Sequence, residues 1–394
     1  MDGDRAVILD GVRTAIGTFG GSLKDVPAPT LGAVVIREAL RRSGVPADDV
    51  DEVILGTVGQ VSRDAFIARV AALEAGLPVA STAQSVNRLC GSGLQAIITA
   101  SQWLRLGDAD VVVAGGMENM SRLPYYVWNR WGRRLGHGEL EDGVLSAVTD
   151  PFERYPMGMT AENVAERYHV SREEQDRLAL DSQKRARAAI DAGRFDSEIV
   201  PVDVPAGRGQ TKPFRTDEHP RETSAEQLAR LRPAFREGGS VTAGNSSGIN
   251  DGAAAVVMTM ASEAQKRGLS PRAALLAYKV VGVEPDVMGY APVTAIQGVL
   301  ERARLTVSDI DLVELNEAFA AQAYAVVRDA SLDWARTNVN GGAIALGHPI
   351  GATGAILTVK LLAELERRGG RYGIVTMCIG GGQGIAAVFE NYRR

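Results

Sequence analysis

Cys90 follows Ser85-Val86-Asn87-Arg88-Leu89 and opens an expected helix through Gly91-Ser92-Gly93. Its sulfur then lies near free N–H groups and the positive helix end, where a thiolate is stabilised. An inert core cysteine more usually sits in the middle of a strand or helix, so this context favours a nucleophile. The second thiol, Cys378, ends a buried strand and is followed by Ile379-Gly380-Gly381-Gly382-Gln383-Gly384, again among exposed main-chain donors. His348 stands in Gly347-His348-Pro349-Ile350-Gly351 at a loop-to-helix junction and is the best base available. His137 and His219 fall in polar loop text and His169 ends a helical turn, so all three read as surface residues. Asn316 and Glu317 follow the buried strand Asp311 to Leu315. A polar side chain there enters a cleft at the strand end, unless Asn316 only caps a helix.

Composition removes several other chemistries. Two cysteines far apart in sequence cannot make a disulfide framework and suit a reducing cytosol, so a cytoplasmic location is expected. No C-x-x-C or H-x-x-x-H spacing offers a metal site. Gly380-x-Gly382 lacks the helix and later acidic residue of a dinucleotide fingerprint. A net charge of −5 leaves no basic field for nucleic acid or a membrane surface, so neither is expected as a partner. The opening Met1-Asp2-Gly3-Asp4-Arg5 lacks the basic and apolar regions of a signal peptide, and no apolar run approaches 18 residues. Glycine reaches 44 residues while aromatics fall to 5%, which points to sites lined by backbone N–H groups rather than aromatic cages.

These residues are positioned by a duplication whose halves lie about 260 residues apart, the kind of repeat that sets an architecture. Ala39 to Pro46 leads to the strand Asp51 to Leu55, as Val299 to Ala303 leads to Asp311 to Leu315. Val86-Asn87 precedes Cys90, a helix to about Leu106 and the strand Ala109 to Ala114. Val339-Asn340 precedes His348, a helix to about Arg368 and the strand Tyr372 to Met377. Leu94, Ile97, Ile98 and Leu104 stripe the first helix, and Leu357, Leu361, Leu362 and Leu365 the second. The pattern predicts an α/β protein of two lobes with mixed, largely parallel sheets, packed as a pseudo-twofold pair with a site at their interface. Residues 1–118, completed by about 250–268, form the first lobe and 269–394 the second. Between them 119–249 is an insertion whose long helical text runs from Ala161 to Ala192.

Two stretches of the insertion are unusual. Tyr125, Tyr126, Trp128 and Trp131 crowd together with Arg122, Arg130, Arg133 and Arg134, as at a subunit contact or in a loop folded on its own small core. From Pro205 to Arg236 basic residues outnumber acidic ones inside an acidic chain, which suits a phosphorylated ligand or a solvated face equally.

The chain resembles the thiolase family through Asn87-Arg88-Leu89-Cys90-Gly91-Ser92-Gly93, Asn316-Glu317-Ala318-Phe319-Ala320, Gly347-His348-Pro349-Ile350-Gly351 and Cys378-Ile379-Gly380-Gly381-Gly382. Met157-Gly158-Met159-Thr160-Ala161-Glu162 and Thr242-Ala243-Gly244-Asn245-Ser246-Ser247-Gly248 extend the resemblance through the insertion. It implies the thiolase fold, two related α/β lobes in layers plus a loop domain. It also implies reversible acyl transfer through a cysteine thioester, with acetyl-CoA, 3-ketoacyl-CoA and CoA as partners, coenzyme A being a substrate and no cofactor being needed. Cys90, helped by His348, would carry the acyl group, and Cys378 would take the proton from the acetyl methyl carbon. His348 with a water on Asn316 would serve one developing oxyanion, and the N–H groups of Cys90 and Gly380 the other. Ser247 would meet the pantetheine arm in a tunnel of Met157, Phe235, Ala243, Met288, Ala318 and Phe319, with Arg221 near the nucleotide. A homo-oligomer, dimer or tetramer, would form through about 120–135.

Pro156 stands where some short-chain biosynthetic members of the family carry a histidine, so longer 3-ketoacyl chains stay open. A decarboxylating ketoacyl synthase would need a second active-site histidine where Cys378 stands. A non-catalytic acyl-CoA carrier would need no paired thiols.

Overall fold

The computed structural model describes residues 4–60, 65–207 and 209–394. Met1, Asp2 and Gly3 of the opening segment and Arg208 of the basic stretch lie outside them. In the first lobe, apolar runs rich in Val and Ile give β1 (Ala6–Thr14), β2 (Glu52–Gly56) and β4 (Val111–Asn119), and the more polar, half-buried β3 (Thr82–Val86) adds to the edge. Helices α1 (Ala28–Ser43), α2 (Ile67–Glu74) and α3 (Ser92–Leu106) alternate with them. The insertion supplies α4 (Gly158–Arg167) and α5 (Arg172–Asp191). The expected long helix is thus two, broken where His169 takes φ +53° and Ser171 starts α5 with a capping box to Glu174.

The chain returns to the first lobe as β5 (Asn250–Met260), then forms β6 (Ala273–Gly282), α6 (Ala291–Ala303), β7 (Leu312–Leu315), α7 (Ala320–Asp329), α8 (Thr353–Arg368), β8 (Tyr372–Ile379) and β9 (Gln383–Asn391). The main sheet runs β7-β8-β9-β6-β1-β5-β4-β2-β3. Around the junction the two lobes mirror each other: β5 lies between β1 and β4 as β9 lies between β6 and β8. The lobes meet through the short antiparallel pairing Val7 to Ala274 and Ile8 to Ala273.

The largely parallel sheet expected from the sequence is corrected. Along this nine-strand path the outer pairs β2–β3, β2–β4 and β7–β8 are parallel and the pairs facing the junction are antiparallel, while the short strand Ile199–Val200 adds to β1 in parallel off the path. The reason is local: three residues, Gly380-Gly381-Gly382, separate β8 from β9, which permits a hairpin but no crossover. Gly381 and Gly382 have φ of +82° and +81°, which residues with a Cβ adopt rarely.

Helices α3 and α8 pack against each other with their backbones nearly touching. A Cβ built on Gly354 would lie 2.3 Å from the Leu94 nitrogen, and one on Gly93 would lie 2.9 Å from that of Ala355. Only glycine permits this crossing, and it brings the start of α3, next to Cys90, beside the start of α8, next to His348. The striping leucines and isoleucines of both helices are buried. Among the described residues no helix is long and apolar enough to cross a membrane.

Candidate active site

Cys90 sits in a tight turn at the mouth of α3. The Leu89 N–H donates to Asn87 Oδ1 at 3.0 Å, the Arg88 N–H donates to Ser92 Oγ at 2.8 Å, and Ser92 Oγ donates to the Leu89 carbonyl at 2.6 Å. Leu89 itself has φ +44°, a strained value for a bulky residue, held by this network. The main-chain N–H groups of Gly380 and Cys90 face the Cys90 sulfur. Burial nevertheless pushes its thiol up to about 11, with the charge of Glu118 acting in the same direction. The expectation of a resting thiolate at the helix end is therefore corrected: desolvation outweighs the amides, and Cys90 needs a base.

That base has a defined tautomer. His348 is 6% exposed, and burial lowers it to about 4, so its imidazole is neutral. Nδ1 lies 2.6 Å from Thr353 Oγ1, whose own proton goes to the Pro349 carbonyl at 2.9 Å. The hydroxyl must then accept from Nδ1–H, which leaves the lone pair on Nε2. Asn316 Nδ2 lies 3.4 Å from Nε2, and the His348 N–H donates to Asn250 Oδ1 at 2.9 Å. Asn316 is buried and does not cap a helix, since α7 begins with Phe319 as its N-cap. Its Oδ1 is buried without a protein partner among the described residues, which suits an acceptor for a water or substrate group.

Cys378 is fully buried at the end of β8, and its thiol lies above the usual range through burial and then through the neighbouring charge of Cys90. It shares an apolar cluster with Met157, Met288, Ala318 and Phe319. Phe235 meets Phe319 edge to face with ring centroids 6.1 Å apart, and Gly158 leaves room for the Phe235 ring. The Ser247 N–H donates to the Ala318 carbonyl at 2.9 Å. Ala243 is exposed at the rim, where Arg221 Nη2 donates to its carbonyl at 2.8 Å. The residues expected to line a tunnel thus converge on Cys378, with Arg221 at its outer edge. Of the basic stretch, Arg236 is paired with Glu166 at 2.9 Å and is less available to a ligand. His219 is corrected from a surface residue: it is half-buried against Gly248, and burial lowers it to about 4.

Three residues that the motifs did not single out hold this arrangement. Thr353 fixes the imidazole, and Asn250 fixes the loop that carries it. Glu118, at the polar end of β4, accepts the N–H groups of Val58, Gly59 and Gly351, each at 2.9 Å, so one buried carboxylate ties the two lobes together beside Cys90. Burial raises it to about 7 against the pull of those amides. Its place near the end of an apolar strand matches that of Asn316, but the amides it accepts from lie far along the chain. Glu317 turns away and binds Ser182, Asn338 and the Ile344 N–H, which anchors α5.

Known proteins resemble the chain over nearly its whole length. The family model for the thiolase N-terminal domain matches residues 6–262 and that for the thiolase C-terminal domain matches 269–391. The beta-ketothiolase BktB of Cupriavidus necator is 56% identical over 98% of both chains. An acetyl-CoA acetyltransferase of Pseudomonas aeruginosa is 51% identical over 96% of this chain and 98% of its own. In structure, the acetyl-CoA acetyltransferase of Bacillus anthracis superposes with a TM-score of 0.97 at 48% identity, covering 98% of this chain and 99% of its own. Human mitochondrial 3-ketoacyl-CoA thiolase in complex with CoA gives 0.94 at 44% identity over 98% of each chain. With the paired thiols, the neutral imidazole and the layered α/β lobes in place, the chain has the thiolase fold and belongs to the thiolase family of acyltransferases.

Proposed function

We propose that the chain transfers acyl groups between coenzyme A thioesters through Cys90, with each residue acting as its surroundings allow. His348 Nε2 takes the Cys90 proton as the sulfur attacks the acyl carbonyl, and the C–S bond to CoA breaks as the thioester on Cys90 forms. The Gly380 and Cys90 amides that face the sulfur receive the oxyanion of this step. Cys378 gives its proton to the departing CoA sulfur and, now a thiolate, removes the Cα proton of acetyl-CoA; the enolate attacks the thioester, and the new C–C bond expels the Cys90 sulfur, which takes its proton back from His348. His348 and a water on Asn316 support the enolate oxygen. Thiolysis of a 3-ketoacyl-CoA is the reverse. No cofactor is required, because every proton moves between these groups and the substrate.

The observation that carries this reading is the arrangement of the two thiols: the Cys90 sulfur faces the N–H groups of Gly380 and of its own residue, Cys378 lies among Met157, Met288, Ala318 and Phe319, and the free lone pair of the neutral imidazole is on His348 Nε2.

Longer chains are part of the proposal, because Pro156 replaces a histidine and a beta-ketothiolase is among the most similar relatives. Steady-state rates on acetoacetyl-CoA and on a C8 3-ketoacyl-CoA test it, and inertness to every 3-ketoacyl-CoA would refute the assignment. We also propose the lobe boundaries 1–118 with 250–268, 119–249 and 269–394, and a cytoplasmic homo-oligomer. The exposed Tyr125, Trp128 and Trp131, at 62%, 83% and 94%, support a contact with further copies of the chain. Light scattering of wild type and Trp128→Ser with Trp131→Ser tests it.

A further inference from the structure

A second polar cleft, of about 470 Å³, lies at the ends of α3 and β8 remote from the thiols. Cys90 precedes α3 and Arg105 is in its last turn, about 20 Å away at 1.5 Å per residue. Tyr372 starts β8 and Cys378 nearly ends it, again about 20 Å apart at 3.3 Å per residue. Two elements therefore place this cleft independently of the catalytic site.

Its walls carry Arg5, Arg105, Arg302, Arg304 and Arg371, against the carboxylates Asp4 and Glu390. Glu390 is buried and serves Arg5 at 2.7 Å and Arg371 at 2.8 Å. The other three arginines have no carboxylate partner among the described residues. Two are instead held by main-chain carbonyls, which fix a guanidinium without neutralising it: Arg302 Nη1 donates to Tyr278 O at 2.8 Å and Arg105 Nη2 to Leu275 O at 3.3 Å. Basic residues in a last helical turn also complement the helix dipole, and Arg105 and Arg302 do so. Arg304 lies beyond the end of α6 with φ +56°, a position that glycine or asparagine fills at lower cost, so capping does not explain an arginine there. The result is a pre-set positive concavity on a chain of net charge −5.

We propose that this cleft binds a multiply charged phosphate anion, inorganic diphosphate or the phosphates of a nucleotide. Forked guanidiniums match phosphate oxygens in pairs, and several fixed ones favour two linked phosphates over one. Tyr372 and Leu276 in the lining give a nucleoside something apolar to rest on.

Isothermal titration of the full-length protein with diphosphate and with ADP, at physiological ionic strength and with CoA saturating, tests the site. Wild type is expected to bind at least one of them with a submillimolar Kd. Arg302→Gln with Arg304→Asn should weaken binding by at least about tenfold, the effect of losing one charge-assisted contact, with kcat on acetoacetyl-CoA unchanged. ADP binding tighter than diphosphate would assign the site to a nucleotide, and equal affinities to the phosphates alone. Absence of binding, loss of binding once CoA is saturating, or equal binding by the double variant would each overturn the proposal.

Discussion

His348 stands five residues before Thr353, the first residue of α8, and the 2.6 Å contact between Nδ1 and Oγ1 decides which imidazole nitrogen can act as a base. Because the hydroxyl proton is committed to Pro349, Thr353 selects the tautomer rather than merely filling space. Thr353→Val should lower kcat on acetoacetyl-CoA by about tenfold to a hundredfold, matching the cost of one buried hydrogen bond, with KM little changed. Thr353→Ser should restore most of it. Failure of serine to rescue would reduce Thr353 to a packing role.

The buried imidazole also sets a pH dependence whose sign follows from linkage. His348 is held near 4 in the folded chain, against about 6.5 unfolded, so the unfolded chain binds the proton first as pH falls. Its contribution is fully present above pH 6.5 and is lost between 6.5 and 4, about 3 kcal/mol in all. Glu118 acts oppositely: its carboxyl, raised to about 7, contributes stability below its ordinary value near 4.5 and loses it as pH rises through 7. Urea midpoints at pH 7 and 4.5 should therefore fall more for wild type than for His348→Asn. Equal falls would show that the imidazole is not the group responsible.

The sequence revealed the duplication because both halves repeat helix, glycine turn and buried strand, and α3 and α8 end at Leu106 and Arg368, each just before the glycine that follows the stripe. Strand direction was legible at the three-glycine hairpin between β8 and β9 but not at β4 and β5. Whether β4 and β5 pair parallel or antiparallel depends on where an insertion of more than a hundred residues returns the chain, which no local pattern records. Within the site, Cys90, His348, Asn316 and Cys378 were visible because each stands where a regular element meets a glycine turn or strand end. Their protonation states were not, since the helix end predicts a lowered thiol at Cys90, and only three-dimensional burial reverses that sign. Thr353 and Glu118 escaped notice for a related reason: each acts on a neighbour in space that ordinary sequence spacing does not mark.

Cys90→Ala should abolish the acyl-enzyme, since alanine offers no nucleophile and Cys378, fully buried, starts with a thiol above its usual range. Intact-mass spectrometry after incubation with acetoacetyl-CoA checks this, with an acetyl adduct expected on wild type alone. An adduct that persists in the variant would move the nucleophile to Cys378.

Cys378→Ser separates the two thiols. The variant keeps Cys90 and its amides, so it should still load an acetyl group from acetyl-CoA. Its hydroxyl cannot ionise in the working range, so the carbon–carbon step should slow by about 10²–10⁴, the usual contribution of a positioned acid–base group. Near wild-type thiolysis would make Cys378 structural and leave His348 to carry the proton.

Chain length should be governed on the Cys90 side of the site. Cys90 packs with Met120, Val144 and Ile350 and with the half-buried Leu123, Ala147 and Val148, whereas the Cys378 cluster is built from the tunnel residues Met157, Met288, Ala318 and Phe319. With the CoA arm among Met157, Met288, Ala318 and Phe319, as proposed, a thioester on Cys90 points its acyl tail the other way, into the first cluster. Ala147→Leu adds three carbons there and should displace two or so methylenes of a long acyl chain, at about 0.8 kcal/mol each. Its kcat/KM on a C8 3-ketoacyl-CoA should then fall about tenfold relative to that on acetoacetyl-CoA. An equal change on both substrates would place the acyl tail elsewhere.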